Sequence, residues 1–533
     1  MFIKISVENF KAFATQVNAP LAPLTLIYGP NSSGKSSILD TLLILKQTVS
    51  PANTSRSPLA FTGTTDFGNY RNIAFKHDVD AVITVSAAVM PHNITRPIYG
   101  VNLPIDKYFV DLHYCADTEG QVLLPKIDIS VTDSVMPAFS FKAVDAPIAT
   151  PLQVGPNMGM RRSYSSYGLE RISSDAPFIH VLFDRFIEGD LTRLQAMLTT
   201  HREAHINRLA TILQSQSGVN VVSEDAREQS ERLIDQRIKA YNGYTFKQFC
   251  EDLTAFGRAF VVGVDALVPY QIFSPQNVLT APLRLETMLG LPISVPDPSF
   301  LLHNALQALT SELDALNYIG PHREEPKRMY IYRGNAPLNV GARGEDFADA
   351  LFANQQYEDQ LNALCDLMDI GFHVRLRKAE GGQEFTDAFS IALIDRVTET
   401  QVGLNDVGYG ISQVLPVLLQ IIMSQDSPLI IEEPELHLNP RLQATLGQVL
   451  AQEISGRPHR QIIVETHSEH LLLRLQRCIR VGALNPSLLS VLYVSHEPDG
   501  SHVQQMEITA DGELKHGWPQ GFFDDAIREM FLT

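Results

Sequence analysis

A glycine-rich stretch close to the N-terminus, GPNSSGKSS at residues 29–37, restricts the fold of this chain more than any other feature. It follows a short apolar run at 24–27 and leads into a second one at 38–45. This order predicts a buried strand, a tight loop and then a helix, which is the context that the pattern G-x-x-x-x-G-K-[ST] requires. A plain strand-to-helix turn is the alternative, but a turn needs one glycine and no buried lysine. We therefore expect an α/β fold built around a phosphate-binding loop.

The residue types in this loop fit the chemistry of a nucleoside triphosphate. Glycines let backbone N–H groups turn inward around phosphate oxygens, and the following helix presents its positive dipole end to them. Lys35 is placed to reach the β and γ phosphates, and Ser36 to ligate Mg²⁺. The predicted nucleotide-binding residues of the loop are Gly29, Pro30, Asn31, Ser32, Ser33, Gly34, Lys35, Ser36 and Ser37.

A second motif, SPLIIEEPELHLNP at residues 427–440, supplies the carboxylates that a hydrolysing site needs. Its apolar run predicts a short buried parallel strand that ends at Glu432 and Glu433, and α/β ligand sites lie at the carboxyl ends of strands. We expect Glu432 to hold the metal and Glu433 to polarise the attacking water. An acidic surface cluster after a strand is the alternative.

A third stretch, RQIIVETHSEHLL at residues 460–472, repeats the pattern of an apolar strand followed by polar residues. His467 stands where this strand ends. A single histidine is usually uninformative, but this one follows the carboxylate strand in the chain. We therefore predict that His467 hydrogen-bonds the γ-phosphate and takes part in catalysis.

A fourth stretch, LNDVGYGISQVLPVLLQ at residues 404–420, predicts a second helix start suited to phosphate. Gly408 and Gly410 permit a close backbone approach, and Ser412 caps the helix or donates at its start. Because the first loop already serves the chain's own nucleotide, this site suggests contact with a phosphate held by a partner molecule. An ordinary loop before a core helix is the alternative.

Composition limits the class of protein. The chain has 533 residues with 44% hydrophobic residues, which predicts more than one subdomain. Its net charge of -18 argues against a surface coated in positive charge for nonspecific nucleic-acid binding, although a local basic groove stays open. The four cysteines show no CxxC spacing, and no run of about 18 apolar residues occurs. We expect a cytoplasmic protein that neither spans nor binds a membrane.

The order of the four motifs resembles ATP-binding-cassette-type ATPases of the chromosome-maintenance, RecF and overcoming-lysogenization-defect clade. The resemblance implies an α/β fold, with an ABC-type P-loop ATPase head, and ATP and Mg²⁺ as cofactors. It implies that two protomers associate head to tail around ATP, and that Lys35, Glu433 and His467 act in catalysis with metal bound at Ser36 and Glu432. The further nucleotide contacts that it implies are Gly408, Gly410, Ser412, Gln413 and Asn439.

The chain departs from that clade in three places. The signature reads GYGISQ instead of LSGGQ, and Glu432 stands where the clade has the metal-side aspartate. The Q-loop glutamine has no clear match, and Gln47 is only a weak candidate for it. Three other stretches, YIGPHREEPKRMY, VGARGEDF and the tail DGELKHGWPQGFFDDAIREM, resemble a bacterial subgroup with a C-terminal WPxGFFD segment. Members include ATPase subunits of Septu-like and retron-linked anti-phage systems. Arg323 and Arg343 of these stretches are candidates for phosphate or partner contacts, or for structural ion pairs.

Motif positions and periodicity also predict how the chain is organised. A mixed sheet of the head, an antiparallel β layer and an inserted helical domain are expected. The tail aromatics Trp518, Phe522 and Phe523 are expected to form a packing hook or docking surface. The predicted domains are the N-terminal part of the head at 1–85, a β-rich layer at 86–177, a helical insertion at 178–309, the C-terminal part of the head at 310–507 and a docking tail at 508–533.

Two functional hypotheses follow. In the first, the protein is a Mg²⁺-dependent ATPase, dimeric or of higher order, that controls a separately encoded nuclease or toxin in anti-phage defence, with that effector encoded nearby. In the second, it is a RecF-like ATPase that clamps DNA directly in repair or recombination. A membrane-transporter cassette is disfavoured, because the large insertion and the EEPELHLNP form do not match transporter cassettes.

Overall fold

The computed structural model describes residues 1–50, 57–90, 105–133, 137–144, 165–185, 191–215, 223–258, 261–265, 268–272, 298–378, 387–519 and 522–523. The remaining residues of the expected tail, 520–521 and 524–533, lie outside this description. The chain divides into two compact units. The first comprises Met1–Asn53, Ala60–Ala87 and Ser311–Thr533, and the second comprises Thr54–Leu59 and Ala88–Thr310.

The described strands, numbered in chain order, are β1 (Phe2–Glu8), β2 (Val17–Pro20), β3 (Leu24–Tyr28), β4 (Ile83–Val89), β5 (Tyr108–Ala116), β6 (Val122–Ser130), β7 (Phe139–Val144), β8 (Ser165–Ile172), β9 (Val261–Asp265), β10 (Val268–Ile272), β11 (Asn317–Ile319), β12 (Tyr330–Ile331), β13 (Phe372–Lys378), β14 (Ala388–Asp395), β15 (Gln401–Gly403), β16 (Leu429–Glu432), β17 (Ile462–Glu465), β18 (Leu489–Glu497) and β19 (Gly500–Met506).

The described α-helices are α1 (Lys35–Val49), α2 (Tyr70–Ile73), α3 (Pro177–Arg185), α4 (Thr192–Thr200), α5 (Arg202–Ser215), α6 (Glu224–Asn242), α7 (Phe246–Arg258), α8 (Pro298–Ala315), α9 (Phe347–Ala353), α10 (Gln356–Met368), α11 (Tyr409–Met423), α12 (Pro440–Gly456) and α13 (Glu469–Arg480). None of these described helices is both long enough and apolar enough to cross a membrane.

The central sheet of the first unit has the strand order β11-β16-β17-β3-β18-β19. Its first five strands are parallel to their neighbours, and β19 pairs antiparallel with β18. The strands β3, β16 and β17 are buried at every position, as expected for parallel strands covered on both faces. This unit also contains a smaller antiparallel sheet of β12, β14, β13 and β15 and the antiparallel pair of β1 and β2.

The second unit combines antiparallel strands with helices. Strands β5 to β10 each pair antiparallel with the next, and α3 to α7 lie between β8 and β9 in the chain. Alternation in β5, where every second residue is buried, is the pattern of a strand with one face on a core. The predicted α/β class, with a mixed sheet, an antiparallel β layer and an inserted helical segment, is confirmed.

The tail aromatics pack on the first unit's own sheet. The ring of Trp518 lies 5.2 Å from that of Tyr28, the last residue of β3, and the Phe523 ring lies 5.8 Å from it. Phe522 contacts Tyr493 of β18 at 5.4 Å between ring centroids. Tyr28 is fully buried and donates a hydrogen bond to the carbonyl of Ser468 at 2.9 Å. This part of the tail therefore packs against Tyr28 at the end of β3 and against Tyr493 of β18.

Candidate nucleotide-binding site

The glycine-rich loop has the backbone that its sequence demands. Gly29 and Gly34 adopt φ values of +154° and +99°, in the region that favours glycine. A Cβ on Gly29 would lie 2.3 Å from the carbonyl oxygen of Val494, and one on Gly34 would lie 2.8 Å from Cβ of Ala12. Helix α1 starts at Lys35, and no side chain caps its N-terminus. The loop therefore joins a buried strand to an uncapped helix start, as predicted.

A cavity of about 750 Å³ opens over this helix start, and we call it the nucleotide cavity. Lys35, Ser36, Glu433, Glu465 and His467 all line it. Segments about four hundred residues apart in the chain are brought together because β17 lies between β3 and β16 in the sheet. The other predicted loop residues on its wall are Asn31, Ser32, Gly34 and Ser37.

Three predicted loop residues serve the loop itself. Gly29 makes the close approach to β18 described above. The carbonyl of Pro30 accepts a hydrogen bond from Nζ of Lys35 at 3.0 Å. Ser33 is fully buried, and its hydroxyl has no partner. Their contribution is to hold the loop in shape around the lysine.

Acidic side chains gather where the parallel strands end. Glu432 of β16 and Glu465 of β17 are register partners, so their side chains share one face of the sheet. Oε1 of Glu465 accepts a hydrogen bond from the hydroxyl of Ser36 at 3.0 Å and lies 3.9 Å from Nζ of Lys35. Oε1 of Glu432 accepts a hydrogen bond from the hydroxyl of Tyr318 at 3.0 Å.

Burial governs the protonation of this cluster. Burial, reinforced by the neighbouring carboxylates, raises the pKa of Glu432 to about 8. Burial also raises the pKa of Glu465 to about 7, although the Ser36 hydrogen bond and Lys35 oppose that rise. Burial lowers the pKa of Lys35 and that of His467. Two adjacent buried carboxylates beside one lysine favour a further cation.

The residues present suit Mg²⁺. Ser36, Glu432 and Glu465 offer hydroxyl and carboxylate oxygens, which are the ligands that Mg²⁺ prefers. Oε2 of Glu465 is buried and has no hydrogen-bond partner in the part of the chain that the structure describes. The donor set therefore fits the predicted metal, and it contains one carboxylate more than the sequence prediction named.

Glu433 has an unusual backbone that a buried arginine supports. Its φ is +43°, which a non-glycine residue rarely adopts. The guanidinium of Arg323 donates hydrogen bonds to the carbonyls of Glu432 at 2.6 Å and of Glu433 at 3.1 Å, while the Glu433 N–H donates to the Glu465 carbonyl at 2.8 Å. Arg323 is only 4% exposed. These contacts direct the chain so that the Glu433 side chain reaches the cavity wall.

His467 is held by a neighbouring acid that the sequence reasoning missed. The backbone N–H of His467 donates to Oε1 of Glu435 at 2.6 Å. The next residue, Ser468, caps α13 by accepting from the Leu471 N–H at 3.1 Å and donates to Gln443 at 2.7 Å. The strand end and the helix start thus fix the histidine on the cavity wall.

A second cavity of about 560 Å³ lies on the other side of Glu433, and we call it the signature cavity. It is lined by Arg323, Arg343, Tyr409, Gln413 and His437 as well as Glu433. Nε2 of Gln413 and Nε of Arg323 are buried and have no hydrogen-bond partner among the described residues. Unsatisfied buried donors are costly, so this cavity is suited to an anion or another acceptor.

The other predicted signature residues line neither cavity. Gly408 precedes α11 as its N-cap, and a Cβ on Gly410 would lie 2.3 Å from the His437 carbonyl oxygen. Ser412 is not the cap: it lies in the first turn and donates to the Tyr409 carbonyl at 2.8 Å. Asn439 caps α12 by accepting from the Leu442 N–H at 3.0 Å.

The weak Q-loop candidate is used elsewhere. The side chain of Gln47 donates to the Ala60 carbonyl at 2.7 Å and accepts from the Thr65 N–H at 3.3 Å. Gln47 is 5% exposed. It therefore anchors a loop.

Three family models match separate parts of the chain. Residues 1–118 match "AAA ATPase domain", and residues 292–474 match "AAA domain, putative AbiEii toxin, Type IV TA system". Residues 484–531 match "Protein of unknown function (DUF3696)". The chain is similar to AAA-type P-loop ATPases. The two ATPase matches contain the glycine-rich loop and the acid strand, which meet at the nucleotide cavity.

Solved structures show only a weak likeness. The Smc head domain of Pyrococcus furiosus with an extended coiled coil, bound to the C-terminal domain of ScpA, is 14% identical, with 95% of this chain and 96% of that chain covered and a TM-score of 0.37. The SMC head domain from Thermotoga maritima is 10% identical, with 95% and 99% covered and a TM-score of 0.36. Neither likeness is strong enough to support an inference. No curated protein matches the chain.

Proposed function

We propose that this protein is a Mg²⁺-dependent ATPase that dimerises head to tail and regulates a separately encoded effector in anti-phage defence. One observation carries the ATPase part of the proposal. Lys35 and Ser36 of the glycine-rich loop line the same cavity as Glu433 and His467, so a triphosphate bound at the α1 start lies beside a carboxylate and an imidazole.

Each residue has a defined task in this reaction. The loop N–H groups and Lys35 bind the β and γ phosphates, and bound Mg²⁺ neutralises the charge that develops on the phosphate oxygens. Glu433 orients the attacking water and accepts its proton. His467 donates a hydrogen bond to a γ-phosphate oxygen. Arg323 holds Glu433 in place through the carbonyls of both glutamates.

The signature cavity supports the dimeric part of the proposal. It holds two buried donors without partners, Nε2 of Gln413 and Nε of Arg323, and it adjoins the nucleotide cavity at Glu433. A γ-phosphate presented by a second copy supplies the acceptor that these donors lack. In this arrangement Gly408, Gly410 and Asn439 face the partner's nucleotide.

The effector part rests on sequence likeness. The WPxGFFD tail and the GPHRE stretch resemble ATPase subunits of anti-phage systems, and one matching family model is described as a putative AbiEii toxin. The proposed regulator holds or releases its effector according to nucleotide state.

The experiment begins with the purified protein and the product of the adjacent gene. We expect ATP hydrolysis that requires Mg²⁺, a shift from monomer to dimer by mass photometry when ATP is added to the Glu433→Gln variant, and co-purification of the neighbouring product. Absence of hydrolysis in the wild type would refute the enzyme assignment. Salt-dependent DNA binding without a co-purifying partner would favour the RecF-like alternative.

A further inference from the structure

The place of β17 in the sheet gives Glu465 a position that its sequence context does not disclose. β17 lies between β3, which leads into the glycine-rich loop, and β16, which carries Glu432. In the register of the sheet, Glu465 is opposite Ile27 on one side and Glu432 on the other. Its carboxylate therefore lies at the start of α1, and only 3% of the residue is exposed.

The hydrogen bond between Ser36 and Glu465 orients the hydroxyl for metal binding. A serine hydroxyl has one proton and two lone pairs. Ser36 donates that proton to Oε1 of Glu465 at 3.0 Å, so its lone pairs point away from the carboxylate and are available to a cation. Glu432 makes no such contact among the described hydrogen bonds, since its Oε1 accepts from Tyr318 instead.

The second oxygen of Glu465 has no protein partner. Oε2 is buried and accepts no hydrogen bond within the described part of the chain. The nearest cation, Nζ of Lys35, is 3.9 Å from Oε1 and donates to the Pro30 carbonyl. A buried carboxylate oxygen without a partner is costly, and a hard divalent cation or a water in its shell satisfies it.

We propose that Glu465 is the main carboxylate of the magnesium site, where it orients the Ser36 hydroxyl and presents Oε2 to the cation or to a water bound to it. The proposal rests on the proposed function and alters the predicted ligand set of Ser36 and Glu432. Glu432, whose carboxylate accepts a hydrogen bond from the Tyr318 hydroxyl, then has a secondary part in binding the metal. A purely structural role, in which Glu465 only pins the start of α1 through Ser36, is the competing explanation.

The decisive measurement is the affinity of Mn²⁺, followed by electron paramagnetic resonance in the presence of the non-hydrolysable analogue AMP-PNP. We expect the Glu465→Gln variant to bind Mn²⁺ about 10- to 100-fold more weakly than the wild type. The Glu432→Gln variant should lose less. Glu469→Gln is the matched control, because Glu469 is a nearby carboxylate in the first turn of α13 that lines neither cavity; its Mn²⁺ affinity should change by less than about threefold.

Nucleotide affinity in EDTA separates the proposal from its premise. Glu465→Gln should bind a fluorescent ATP analogue without metal as well as the wild type does. Mn²⁺ affinity within about twofold of the wild type, at retained nucleotide binding, would overturn the role of Glu465 alone. A wild type that binds no nucleotide would overturn the proposed function instead. If Glu465→Gln does not fold, Glu465→Asp decides the question: weakened Mn²⁺ binding supports the proposal, and unchanged binding refutes it.

Discussion

The nucleotide cavity and the signature cavity share Glu433, Leu436 and His437 but differ in how their walls are built. In the nucleotide cavity the buried carboxylate of Glu465 contacts Ser36 and Lys35 through Oε1, but its Oε2 accepts no hydrogen bond within the described residues. In the signature cavity the buried atoms that lack a partner among the described residues are donors, on Arg323 and Gln413. The unsatisfied group is therefore an acceptor in the first cavity, which suits a cation, and a donor in the second, which suits an anion such as a phosphate.

The largest expected effect tests Glu433, the carboxylate that lines both cavities. Glu433→Gln keeps the shape of the side chain but removes the base, so we expect the rate of ATP hydrolysis to fall about 10²- to 10⁴-fold while ATP affinity is retained. Single-turnover kinetics with radiolabelled ATP measures the chemical step directly. A rate equal to that of the wild type would show that neither cavity uses this carboxylate in hydrolysis.

The next effect is confined to the nucleotide cavity. Lys35→Ala removes the charged donor for the phosphates, and a charge-assisted hydrogen bond contributes about 1.5–3 kcal/mol, so ATP affinity should fall roughly 10- to 100-fold. Titration calorimetry with Mg²⁺ and ATP provides the dissociation constant. Arg343→Ala, in the signature cavity, is the control and should leave the ATP affinity of the monomer unchanged. Equal losses of ATP affinity in both variants would show that the two cavities do not have separate roles.

How much of this site follows from the sequence depends on how local each feature is. The loop at 29–37 and the strand ending at Glu432 were predicted because their patterns lie within about ten consecutive residues. Glu465 was missed, although it ends an apolar run just as Glu432 does, because only the sheet register places it against Ser36. Arg323 lies about a hundred residues before the carbonyls that it binds, so no local pattern discloses the contact.

The start of α11 was predicted only in part. Ser412 was expected to cap this helix or donate at its start, but α11 begins at Tyr409, with Gly408 as its N-cap, and continues through Pro416. A proline inside a helix costs about 3 kcal/mol. The cost is offset because Val414 to Ile422 are buried in the core, where each large apolar side chain contributes about 1.5–3 kcal/mol. Tertiary packing decided where this helix starts, and with it the position of Ser412.

Two glycine substitutions at the start of α11 compare how an added methyl group affects the stability of the fold. Gly410→Ala places a Cβ 2.3 Å from the His437 carbonyl oxygen, so we expect a loss of about 1–3 kcal/mol in the free energy of unfolding. Gly408 has φ -56° and no atom within 4 Å of a built Cβ. Gly408→Ala should therefore leave the free energy of unfolding within about 0.5 kcal/mol.

The same pair separates folding from association. Gly408→Ala should weaken ATP-driven dimerisation in the Glu433→Gln background, because the added methyl group obstructs a partner's nucleotide while the monomer stays intact. Chemical denaturation and mass photometry measure the two properties. An unchanged dimer in Gly408→Ala would mean that the start of α11 does not face a partner.

The smallest effect concerns Glu432 and its register partner Glu465 in metal-free, nucleotide-free protein. Burial in the folded state raises the pKa of Glu432 to about 8 and that of Glu465 to about 7, well above the usual range of a glutamate. Between about pH 5 and pH 8 the folded protein retains protons on these two carboxyls that the unfolded chain has lost. The free energy of unfolding should therefore fall as the pH rises from about 5 to about 8. Denaturant titrations in EDTA measure this slope. Glu432→Gln, which removes one of these titrating groups, should flatten it. Stability that rises over the same range would show instead that both carboxyls are already charged in the folded state.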